Sequence, residues 1–151
     1  MQATGSTHMG MRWRWCRRLA ALLLLASCTV GPRRAYVPTP ALPRLSPDKL
    51  REQALALLHI ECPRLLGSHR TAFGTTVLWI DLDASGAAAL ATLERSSGDA
   101  KIDDIFGALA AELMVHPTAT PTTASGLTRR SLTMGYACAP STADASVELG
   151  T

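Results

Sequence analysis

Beyond residue 47 the chain switches between two kinds of hydrophobic spacing. Leu50, Ala54, Leu57 and Leu58 recur at the steps of one helix face. Ser46-Pro47-Asp48 supplies the start of that helix: a capping hydroxyl, a proline at the first helical position and an acid in the first turn. The helix is expected to reach about residue 60 and to stop before Pro63, with a shorter helical piece over 64–69. The period then drops to two. Thr76, Leu78, Ile80 and Leu82 share one face of a strand opened by Gly74, while Val77, Trp79 and Asp81 share the other. Asp83-Ala-Ser-Gly86 marks a hairpin turn, and an alanine-rich return strand is expected over 88–94. Helical spacing returns with Ile102, Ile105, Phe106, Leu109 and Leu113. A last strand over 128–138 puts Leu132, Met134, Tyr136 and Cys138 on one face. Residues 141–151 show no pattern and are expected to fray.

These elements predict one α+β domain, residues 48–140, in the order α–β–β–α–β. Two helices would cover one face of a three-stranded antiparallel sheet, a two-layer sandwich. A chain of 151 residues suits a single domain of this kind.

The first part of the chain has a different grammar. Arg12, Arg14, Arg17 and Arg18 precede Leu19-Ala-Ala-Leu-Leu-Leu-Leu-Ala26, and the run ends in Leu25-Ala26-Ser27-Cys28. The apolar run is far below the ~20 residues of a membrane-spanning helix. Basic, apolar and small residues ending in cysteine resemble a bacterial lipoprotein signal, residues 1–27, with Met11 as the natural start of a leader over 11–27. The resemblance implies cleavage before Cys28 and a lipid on its thiol. Because Thr29 is not aspartate, it also implies the outer membrane, periplasmic side. An ordinary secretory signal with Cys28 as a bystander is the alternative. Residues 28–47, with Pro32, Pro38, Pro40, Pro43 and Pro47, are expected to form a lipid-bearing, proline-rich tether.

The leader also changes the charge. The whole chain is formally +3, but residues 1–27 hold four arginines and no acid; without them 15 − 4 = 11 bases face 12 acids, a net of −1. With 5% aromatic residues as well, nucleic-acid binding has neither charge nor stacking surface behind it. Two cysteines remain, Cys62 and Cys138, in an oxidising compartment. They are expected to form a disulfide across 138 − 62 = 76 residues, the alternative being two buried thiols.

From Cys62 to Cys138 the chain resembles the C-terminal domain of the TonB family. Cys62-Pro63 stands at that family's Tyr-Pro, Gly74 opens the first strand and Gly86 closes the hairpin. Leu93, Ser96-Ser97-Gly98, Ile102-Asp103 and Val115-His116-Pro117 follow in the family's order. The chain departs from the family in lacking its inner-membrane helix and long proline-rich span, and in its longer threonine-rich loop 117–126. The resemblance implies binding of an outer-membrane or cell-envelope protein through a sheet edge; the departures bear on the family's energy transduction and not on the fold.

Chemistry offers less. Ser96-Ser97 lacks the surroundings of a nucleophile elbow and reads as a turn and helix cap. His59, His69 and His116 are scattered, and Asp81, Asp83, Asp99, Asp103 and Asp104 have turn, capping or helix-dipole explanations. No enzyme activity, metal or cofactor is expected. Trp79 is either covered by a loop or a contact hot spot. Arg129, Ser131 and Thr133 lie on the last strand, the expected edge, which either accepts a partner strand or is protected by Arg129 and Arg130. The chain is thus expected to be a lipid-anchored adaptor for an envelope protein; the alternative is a structural subunit, homo-oligomeric, of a secretion complex.

Overall fold

A computed structural model describes residues 33–116 and 126–150. The expected leader, the expected lipid site Cys28 and most of the loop after Pro117 lie outside the described residues.

Helix α1 spans Pro47–Leu66. The Ser46 hydroxyl accepts from the Lys49 N–H at 3.4 Å, and Leu50, Ala54, Leu58, Glu61 and Cys62 are buried. The helix passes through Pro63 instead of ending before it. Proline removes the hydrogen bond to the His59 carbonyl. Both residues are exposed, and Pro63 falls in the last turn of the helix. Gly67, at φ 49°, ends the helix, and its N–H donates to the Pro63 carbonyl at 3.3 Å.

Strands β2 (Ala72–Leu82) and β3 (Ala88–Arg95) form the expected hairpin. The Asp83 carboxylate accepts from the Ser85 hydroxyl and from the N–H groups of Ser85 and Ala87, which holds it below the usual carboxylate range. Helix α2 covers Ala100–Ala111 and is capped by Asp99, whose carboxylate accepts from the Lys101 and Ile102 N–H groups. Strand β4 runs from Thr128 to Ala139.

Among the described residues the sheet has five strands, not three. Strand β1 (Ala35–Tyr36) pairs with β3, and β5 (Thr142–Leu149) pairs with β4 along its whole length. The order is β1-β3-β2-β4-β5, antiparallel throughout. Residues 141–151, expected to fray, contain β5, because Ala143, Ala145, Val147 and Leu149 alternate with Asp144, Ser146 and Glu148. The expected tether is corrected too: from Arg33 onward it belongs to the domain. Leu45 is buried and bridges Leu113, Arg44 donates to the Ala88 and Ala111 carbonyls, and Tyr36 lies over Gly107. The Tyr36 hydroxyl is pushed up to about 12 by burial and by its bond to Asp104.

Both helices lie on one sheet face, α1 over β4 and β5 and α2 over β2 and β3. Between them Leu58, Leu78, Ile80, Ile102, Phe106, Leu132 and Met134 are fully buried. Each such side chain contributes about 1.5–3 kcal/mol of burial. Cys62 on α1 and Cys138 on β4 form a disulfide, Cα atoms 5.5 Å apart. An ion-pair chain joins the helices: Lys101 and Arg64 both hold Glu61, and Arg64 grips Asp99 with two nitrogens at 2.8 and 2.9 Å.

Candidate protein-binding face

The helices leave the other sheet face uncovered. Alternation in β2 sends Phe73, Val77, Trp79 and Asp81 to it, since Thr76, Leu78, Ile80 and Leu82 point into the core. Register places Ser131 and Thr92 on either side of Trp79, Thr133 beside Val77, and Ala137 beside Phe73. Phe73 is 80% exposed, and Trp79 and Val77 are half-buried. Gly135 keeps the middle of the face low: a Cβ there would meet the Ser146 hydroxyl at 2.6 Å.

One end of the face is charged. Arg129 donates to both Asp81 oxygens, at 2.7 and 2.9 Å, the fork geometry that fixes both side chains. The carboxylate is buried while the guanidinium is half exposed. These hydrogen bonds, and the charge of Asp81, raise Arg129 above its ordinary value.

The expected edge is not an edge. Strand β4 lies between β2 and β5, so Thr133 pairs with both Val77 and Glu148. The Ser131 carbonyl accepts from the Gly150 N–H at 2.8 Å. Only residues 128–130 extend beyond β5, which ends at Leu149 opposite Leu132. The outer edge of β5 is itself guarded. Arg51 of α1 donates to the Ala145 carbonyl, and the Asp144 carboxylate accepts from the Ala145 N–H, both at 2.8 Å. In an antiparallel ladder those two groups point to the same side, here away from β4. A partner strand would have to displace both caps, a common form of edge protection.

Ser96 and Ser97 are tied into the turn before the second helix. Asp103 is fully buried and accepts from the Thr76 hydroxyl and the Ser97 N–H, each at 2.8 Å, and from the Ser96 hydroxyl. Burial alone would raise this carboxyl, but the hydrogen bonds outweigh it and hold it below its usual range. The cluster locks the turn before α2 to β2. His59, His69 and His116 are exposed and take no part in it. Among the described residues no group of histidine, cysteine or acidic side chains is placed to hold a metal ion, and no helix is long and apolar enough to cross a membrane.

The residues singled out from the sequence therefore meet in part. Trp79, Arg129, Ser131 and Thr133 share the open face, although the strand bearing three of them was expected to act through its backbone. Cys62 and Cys138 meet on the opposite, helix-covered face. Phe73 was not singled out; the alternation that exposes Trp79 was the signal for it. No protein-family profile, curated protein or solved structure matches this chain.

Proposed function

We propose that this chain is a non-catalytic, lipid-anchored envelope protein whose domain binds a cell-envelope protein on the open sheet face around Trp79. The supporting observation is the grouping of Phe73, Val77 and Trp79 on the one face that neither helix covers. Monomeric domains bury most large aromatics, and interfaces favour tryptophan near their centre. Ser131, Thr133 and Thr92 around it supply hydrogen-bonding groups, and the Asp81–Arg129 pair offers a fixed polar rim.

The proposed domain is TonB-like. Strands β3, β2 and β4 with α1 and α2 have its element order, with β1 and β5 as additions on either side. Ser96, Ser97 and Asp103 gain a reason to occur together, since they form one lock. The occupied flanks of β4 move binding from the backbone edge to the side chains of the face.

Photo-crosslinking in the intact envelope tests this. A photoreactive residue at Thr133 or Val77 should give one discrete adduct, and the same residue at exposed Ala108 on α2 should not. Adducts at Ala108 alone would place the partner on the helices. Adducts between copies of this chain, with a stable high-mass species, would favour the structural-subunit reading.

A further inference from the structure

The segment between the lipid site and the first helix is short on free chain. Arg34 donates to Asp104 at 3.0 Å, and its carbonyl accepts from the Leu93 N–H at 2.8 Å. The Thr39 N–H donates to the buried Glu112 at 2.6 Å. Leu45 is held on both sides, by the Glu112 carbonyl and the Met114 N–H, each at 2.8 Å. The strap 33–45 is therefore fixed to the domain, and 33 − 28 = 5 residue steps separate Arg33 from Cys28. Fully extended, those steps reach at most about 18 Å. The headgroup layer of a bilayer leaflet alone takes about 6 Å.

The strap also carries apolar surface that the core does not use. Val37 is 69% exposed and Leu42 54%, and Met114, bonded to the strap, is 42% exposed. Among the described residues, three of the five large exposed hydrophobic side chains thus lie on or beside this one segment. Its basic residues do not mark it for anionic lipid, since Arg33 pairs with Glu94, Arg34 with Asp104 and Arg44 with Glu112. Apolar side chains held next to an acyl anchor fit the interface of a bilayer, where headgroups give way to acyl chains.

We infer that the strap is a membrane-contact surface: Val37 and Leu42 rest in the interface of the leaflet that holds the Cys28 lipid, and the domain lies against that leaflet. The inference rests on the lipoprotein reading. It confines the partner to proteins presenting themselves at the membrane surface. Contact is apolar, so it is insensitive to salt.

The test uses the full lipidated protein in phosphatidylcholine vesicles with brominated acyl chains. Mass spectrometry of the N-terminal peptide first establishes the lipid on Cys28. In a Trp79→Phe background, a single tryptophan is introduced by Val37→Trp, Leu42→Trp or His59→Trp. His59 is exposed on α1 and lies 59 − 46 = 13 residues beyond the cap Ser46. That is about 20 Å along the helix axis. Val37→Trp and Leu42→Trp should be quenched at least about twofold more than His59→Trp and emit further to the blue. Equal quenching at all three sites in lipidated protein overturns the inference and leaves the lipoprotein reading standing. An unlipidated Cys28 overturns both.

Discussion

The two faces of the sheet are built from the same strands by opposite rules. On the helix face Leu78, Ile80, Leu132 and Met134 are fully buried and tied down by a disulfide and by the Asp103 lock. On the open face Phe73, Val77 and Trp79 stand among serine and threonine with neither described helix over them. The first arrangement makes the domain stable. The second leaves apolar surface exposed, which the proposed partner would cover. Substitutions should therefore separate stability from recognition, according to the face they fall on.

The largest effect is expected at the staple. Closing a 76-residue span removes loop entropy from the unfolded chain worth about 4.5 kcal/mol. The Cys62→Ser/Cys138→Ser protein should lose about that much in denaturant unfolding. Phe106→Ala, at a fully buried site, should cost about 4 kcal/mol. Neither loss should be specific to partner binding once the protein is kept folded.

Acid should act on the helix side as well. Asp99 is lowered to about 2, chiefly by Arg64, and Asp103 and Glu61 are also held below their usual range. A carboxyl with a depressed folded value stabilises above its ordinary range and loses that contribution as pH falls through the folded value. The melting temperature should fall from about pH 4 to about pH 2. Arg64→Ala should flatten that slope by freeing Asp99. A melting temperature constant across this range would contradict the assignment.

The strap should respond more mildly. Gly107→Ala would put a Cβ 2.2 Å from the Tyr36 ring. Tyr36 must shift, at about 1–3 kcal/mol. Faster amide exchange at residues 34–36 and 93 would register the loosened β1–β3 pairing.

These regions also differ in how far the sequence reveals them. The core strands and α2 were legible because large apolar residues mark their period: Leu78 and Ile80 in β2, Ile102 and Phe106 in α2. Strand β5 was hidden because its inward positions begin with Ala143 and Ala145, too small to stand out from a polar tail. The strap was hidden by its prolines. It holds by isolated contacts of Tyr36, Arg44 and Leu45, and isolated contacts leave no period. Pro63 misled because it falls in the last turn at an exposed position, where one lost hydrogen bond is tolerated. Of the open face, Trp79 was visible by its size on the polar side of a strand. The meaning of Arg129, Ser131 and Thr133 depended on what flanked β4, and that was set by the overlooked β5.

The smallest expected change in stability accompanies the largest change in binding. Trp79→Ser should shift unfolding by less than about 1 kcal/mol, since the side chain is only half-buried. A central tryptophan at an interface is worth about 2 kcal/mol or more, some thirtyfold in affinity. The direct measurement is a calorimetric titration of the partner captured at Thr133 against the wild-type protein and Trp79→Ser. We expect affinity to fall at least about thirtyfold with the melting temperature nearly unchanged. Equal affinity for both proteins would contradict the assignment of the open face as the binding surface.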